Sequence, residues 1–107
     1  MKPKNTIKIT PLQKPATSEQ KPTLILIHGF LCSSSIWQSL IKKLQTNYNL
    51  FTIDLPGHNG DTQTVTSIEQ LAFEITTELK HKNLTNVHLV GHSLGGYIAG
   101  EITKQNE

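Results

Sequence analysis

Three short runs of apolar residues punctuate the chain: Thr23 to Ile27, Asn49 to Ile53 and Asn86 to Val90. The first is a continuous β-branched and Leu run, too short for a helix and apolar on both faces, which predicts an interior strand of a parallel sheet, and the other two read as further buried strands. Between and after them the apolar residues recur at helical spacing instead. Ile36, Trp37, Leu40, Ile41 and Leu44 form one such stripe, predicting a helix of about three turns. Ile68, Leu71, Ala72, Ile75 and Leu79 form a second, with Glu69, Glu74, Glu78, Lys80 and Lys82 mostly off it, and Leu94, Ile98, Ala99 and Ile102 form a third. Two starts carry the form of a capping box, Ser35-x-x-Gln38 and Thr66-x-x-Glu69, in which a hydroxyl caps the N–H three residues on. Strand alternating with helix in this way predicts an α/β fold, a parallel sheet with flanking helices joined by right-handed crossovers. Ahead of it, Thr6 to Thr10 alternates around Ile7 and Ile9 and is closed by Pro11, which suits a short edge strand. The polar, Pro-containing stretch to Pro22 reads as a linker, so residues 1–22 are an N-terminal edge strand and linker and 23–107 the main domain.

Length and charge narrow the picture. With 107 residues the chain builds one core rather than two. Ten basic residues against eight acidic ones give +2, with no basic stripe, so neither nucleic acid nor an anionic membrane is an expected partner. All ten cations are Lys, so the chain has no guanidinium fork for clamping a carboxylate or phosphate. Cys32 is the one cysteine, no apolar run follows Met1, and the longest apolar run, Leu24 to Ile27, falls far below the roughly 20 residues of a membrane span. A cytoplasmic location is the expectation.

The chemistry concentrates in Val90-Gly91-His92-Ser93-Leu94-Gly95-Gly96, where a strand run breaks into Gly-x-Ser-x-Gly and then a helix pattern. A serine on so sharp a turn needs strained backbone angles and small neighbours two positions either side, the roles of Gly91 and Gly95. Its hydroxyl stands exposed as a nucleophile, and the N–H of Leu94 opens the next helix, where an oxyanion is stabilised. The stretch is not a dinucleotide or P-loop fingerprint: Ser93 stands where the second glycine would be, and no Lys follows. A metal held by His28, His58 and His92 has no ligand spacing behind it. No metal and no cofactor are expected.

Three motifs together resemble the α/β-hydrolase fold family: His28-Gly29-Phe30, Asp54-Leu55-Pro56-Gly57-His58, and the Gly91 to Gly96 elbow. They span Thr23 to Lys104. The resemblance implies an incomplete α/β-hydrolase fold with Ser93 as nucleophile, the N–H groups of Phe30 and Leu94 as the oxyanion hole, and His28, Gly29, Gly91, His92, Gly95 and Gly96 as elbow and loop support. Tyr97 and Phe30 are readable either as lining of the pocket mouth or as core and rim packing. Phe30 to Trp37 and the Asp54 to His58 turn are similar to MenH-like synthases, which use the same triad for a pyruvate elimination. Those carry an Arg after the double glycine where this chain has Tyr97, so a general ester or thioester hydrolase stands beside that reading.

In this family the acid and the histidine of the triad follow the serine, yet Gly96 to Glu107 holds Glu101 and Glu107 and no His. A makeshift dyad of Ser93 and His58, backed by Asp54 or Asp61, is the alternative within the chain. The expectation is an N-terminal fragment of a hydrolase for an ester-like small molecule, inactive alone, its last strand an open edge to which a complementing C-terminal half could dock. A non-catalytic remnant or binding module is the other reading.

Overall fold

The computed structural model describes residues 7–12, 21–29, 34–55 and 67–106. Its strands are β1 (Lys8–Pro11), β2 (Thr23–Ile27), β3 (Asn49–Asp54) and β4 (Val87–Gly91), and its helices α1 (Gln38–Leu44), α2 (Ile68–His81) and α3 (Leu94–Gln105). The four strands form one sheet in the order β1-β3-β2-β4. β2 is central and parallel to both neighbours, with Ile27 level with Ile53 on one side and Gly91 on the other. β1 pairs with β3 antiparallel, Lys8 facing Asp54, so the sheet is mixed rather than wholly parallel. Its composition suits that edge: Ile7 and Ile9 are buried while Lys8 and Pro11 are exposed, and a proline is tolerated where no inner strand needs its N–H.

Side-chain alternation along β2 divides the core in two. Ile25 and Ile27, with Ile53, Ile7 and Ile9, pack against Leu71, Ala72 and Ile75 of α2 and Ile98 and Ile102 of α3. Leu24 and Leu26, with Leu50, pack on the opposite face against Trp37, with Leu40, Ile41 and Leu44 of α1 alongside. The result is helix, sheet, helix in layers, as the doubly apolar run of β2 requires.

Local departures from the sequence reading have identifiable causes. The first helix opens as a 3-10 turn over Ser34–Trp37, and α1 begins only at Gln38, with Trp37 at its N-cap and no side-chain cap bond. In the tighter turn Ile36 rotates off the stripe and is 40% exposed. At α2 the cap is Ser67, one residue later than Thr66, and its Oγ accepts from the N–H of Gln70 at 3.0 Å. Glu74, expected outside the apolar stripe, is buried beside Gln70, whose Nε2 donates to Glu74 Oε2 at 3.1 Å. The pair satisfies the rule that buried polar groups be hydrogen-bonded. α2 ends where Asn83 turns left-handed at φ 57°; its N–H and that of Leu84 donate to the carbonyls of Lys80 and Leu79, the Schellman closure. Asn86 is also left-handed, φ 54°, so β4 starts at Val87 instead. β4 lies at the edge of the described sheet, and Val87, Leu89 and Val90 are only half-buried.

The first turn of α3 sits directly on the end of β2. A Cβ on Gly95 would collide with the carbonyl oxygens of Ile27 and His28, and one on Gly91 with the backbone of Gly95 and Gly96. Gly100, by contrast, faces open space.

Two outcomes follow for urea denaturation of the full chain. Ser67→Ala lowers stability by about 1 kcal/mol, and Ser67→Asp restores most of it, because the loss is one capping acceptor. Gly91→Ala and Gly95→Ala each lower it by about 2 kcal/mol or more through backbone collision, whereas Gly100→Ala raises it by about 0.5–1 kcal/mol. Equal effects at Gly95 and Gly100 would contradict the close approach.

Candidate active site

β4 delivers Gly91 to the sheet's end, and two residues later Ser93 stands at φ 56° and ψ −115°. That combination lies outside the left-handed helical well as well as the ordinary regions, and a non-glycine residue held there costs on the order of 1–3 kcal/mol. The turn is held by short bonds: the N–H of His92 donates to the Ile27 carbonyl at 3.1 Å, that of Gly95 to His92 at 2.9 Å, and that of Gly96 to Ser93 at 2.8 Å. Ser93 is exposed, and although it occupies the N-cap of α3 its side chain makes no cap bond. The contrast with Ser67 is chemical: one hydroxyl serves its helix, the other is left for solvent or a ligand. The N–H of Leu94, first in α3, takes no part in the bonds that close the turn.

The loop after β2 lies against this turn. A Cβ on Gly29 would come within 3.2 Å of Ser93 Cβ and 3.1 Å of His92 Nδ1, so Gly29, His92 and Ser93 are brought together. His28 is fully buried. Its Nε2 accepts from the N–H of Leu55 at 3.1 Å and its Nδ1 is 2.8 Å from the Gly29 carbonyl oxygen. Both ring nitrogens are therefore engaged with backbone. Among the described residues no group of three His, Cys, Asp or Glu side chains could hold a metal ion, and no helix is long and apolar enough to cross a membrane.

Three other sequence candidates are exposed, and Tyr97, one turn along α3, donates its N–H to the Ser93 carbonyl at 3.3 Å. Tyr97 is 74% exposed on α3, so it packs in no core. His81 ends α2 and His88 lies within β4, both exposed. Phe30, Cys32, His58 and Asp61 lie outside the described residues. A cavity of about 390 Å³ opens among Leu79, Leu84, Val87, Leu89 and Ile102, at the start of β4. Ser93 lies beyond the opposite end of that strand, so this hollow belongs to the uncovered edge of the sheet and not to the serine. The buried Glu74 and Gln70 escaped the sequence reading, although their i, i+4 spacing matches a hydrogen-bonded helix pair.

The wider comparisons bear on the family and the fold. A family model described as alpha/beta hydrolase fold matches residues 22–106. Monoacylglycerol lipase ABHD6 of Bos taurus is 34% identical over 87 residues, covering 75% of this chain and 25% of the lipase. The 2-succinyl-6-hydroxy-2,4-cyclohexadiene-1-carboxylate synthase of Yersinia enterocolitica is 36% identical over 88 residues, covering 81% of this chain and 32% of the synthase. The chain thus spans about a quarter to a third of the length of these relatives. Among solved structures, an alpha/beta hydrolase family protein from Desulfitobacterium hafniense superposes with a TM-score of 0.81 at 25% identity, over 92% of this chain and 39% of that one. A carboxylesterase structure from Nitrososphaera gargenis, at 22% identity and a TM-score of 0.78 over 97% of this chain and 39% of that one, shares the fold. With the motif order, the sheet and the matched family model in accord, the chain belongs to the α/β-hydrolase fold family.

Proposed function

We propose that Ser93 is the nucleophile of a serine hydrolase that cleaves carboxylic esters or thioesters, and that these 107 residues supply the nucleophile and the oxyanion hole while the triad acid and histidine come from beyond them. The observation that carries the proposal is the backbone of Ser93, strained at φ 56° between a strand and a helix with its side chain unused as a cap. Strain of that size persists where the surroundings over-determine it, and it clusters at active sites. In the reaction Ser93 Oγ attacks the acyl carbon, its proton passes to the histidine base, and the carbonyl oxygen becomes an oxyanion facing the N–H groups of Leu94 and Phe30. The alkoxide or thiolate then leaves with the proton from the histidine, and water releases the acyl group by the same route in reverse. A lipase among the relatives supports an acyl substrate. We place the pyruvate-eliminating synthase second, because the chain offers no Arg for a substrate carboxylate.

Ser93 in this chain alone keeps an oxyanion hole without a base, so a fluorophosphonate should label it slowly, at one site, mapped by mass spectrometry of the intact chain. Ser93→Ala removes that adduct and, once the acid and histidine are supplied, lowers ester turnover by roughly 10³-fold or more. An adduct that survives in Ser93→Ala, or a folded chain that never reacts even with the complementing portion present, would point instead to a non-catalytic binding module.

A further inference from the structure

Among the described residues the large apolar side chains left exposed are Ile36, at 40%, and Tyr97, at 74%. The 3-10 turn accounts for Ile36. Tyr97 stands in a regular helix one turn past the strained serine, and its N–H donates to the Ser93 carbonyl at 3.3 Å. Residues four apart share a helix face, and helical side chains lean back toward the N-terminus. The helical rise puts Tyr97 about 6 Å along the axis from Ser93, a span that a tyrosine side chain covers. Its ring therefore flanks the turn on which Ser93 is exposed. Nothing on α3 crowds it from the side: Gly96 is exposed, and a Cβ on Gly100 would meet no atom within 4 Å.

Charge on the helix points the same way. From Leu94 to Thr103 there is no cation, and Lys104 in the last turn is the first. Glu101, one turn beyond Tyr97, carries the nearest charge on α3, and it is negative. An aromatic ring itself presents a negative face. A substrate carboxylate beside Tyr97 thus finds no cation and no favourable ring surface on this helix, whereas an uncharged apolar arm gains by taking the ring out of water.

We propose that Tyr97 is the specificity-determining residue of the site: its ring bears an uncharged apolar arm of the ester or thioester and discriminates against substrates that carry a carboxylate there. The inference rests on Ser93 being the nucleophile, while the contact between ring and arm is measured separately, without reaction. Because the side chain is exposed and packs in no core, substitutions at this position change the surface a substrate meets and leave the fold intact.

The test uses the full chain and two fluorophosphonates that differ only at the end of a short alkyl arm, one closing in a methyl group and the other in a carboxylate. Adduct formation at Ser93 is timed by intact-mass spectrometry, with the urea midpoint as control. The wild type is expected to take the methyl-ended probe about 10-fold faster, the scale of one apolar contact. Tyr97→Phe retains that ratio, Tyr97→Ala brings it near one by slowing the methyl-ended probe, and Tyr97→Arg reverses it by pairing with the carboxylate. All three keep a urea midpoint near that of the wild type. A ratio that Tyr97→Ala leaves unchanged overturns the proposal, as does a wild-type preference for the carboxylate-ended probe. The diethyl ester of the methyl-ended phosphonate, which has no fluoride to lose, reports the contact itself through the ring-proton shifts of Tyr97. Ring signals that stay unmoved overturn the proposal whether or not Ser93 labels. Ring signals that move in a chain whose Ser93 never labels uphold the contact, and the nucleophile assignment falls.

Discussion

The contact on which the rest depends is the approach of the Ser93 turn to the end of β2. The His92 N–H bonded to the Ile27 carbonyl, and Gly95 lying where any Cβ would strike the carbonyls of Ile27 and His28, clamp the turn from the side. Without that clamp Ser93 would relax from its positive φ, since nothing in the residue itself favours the conformation. The burial available to resist it is ample. Ile25, Leu26, Ile27, Ile53, Ile75 and Ile98 are all fully buried, and each contributes about 1.5–3 kcal/mol on burial, comparable one by one with the strain of a single residue.

How much of this was legible in the chain depended on the range of the interaction. β2 was readable because four consecutive apolar residues admit no other buried element, and the elbow because Gly-x-Ser-x-Gly joins a strand pattern to a helix pattern. The antiparallel course of β1 was not readable, because alternation around Ile7 and Ile9 sets which face is buried and says nothing of strand direction. The cap of α2 was misplaced by one residue because Thr66 and Ser67 offer overlapping boxes, and only the observed bond to Gln70 separates them. Glu74 looked solvent-facing since a charge is ordinarily excluded from a core; its amide partner one turn back, Gln70, removes part of that cost. Of the candidate site, the strained turn at Ser93 and its close-packed glycines were legible, while the two bonds of the His28 ring are tertiary and could not be read from spacing.

The two ends of β4 have different surroundings. At its start the strand faces a hollow among Val87, Leu89 and Ile102, with half-buried side chains and no neighbour on that side within the described sheet. At its far end Gly91 leads into the tightly packed turn. An edge strand with unpaired backbone groups invites a further strand, and a chain that covers a quarter to a third of its relatives' length leaves them ample residues to supply one.

The strand that leads into the Ser93 turn is therefore the least buried of the parallel three, and its own packing is a weak source of precision. β2 supplies that precision instead. Leu24 to His28 are all buried, and the last two residues of that run, Ile27 and His28, present the carbonyls against which Gly95 is seated. The ring of His28 then reaches across to Leu55 and back to Gly29. One central strand end thus constrains both the turn of Ser93 and the loop beside it, and that strand is buried along Leu24 to Ile27 where β4 is only half-covered. A turn held by a neighbouring interior strand can keep its alignment on a strand that is itself only half-covered, which is the support a preorganised site requires.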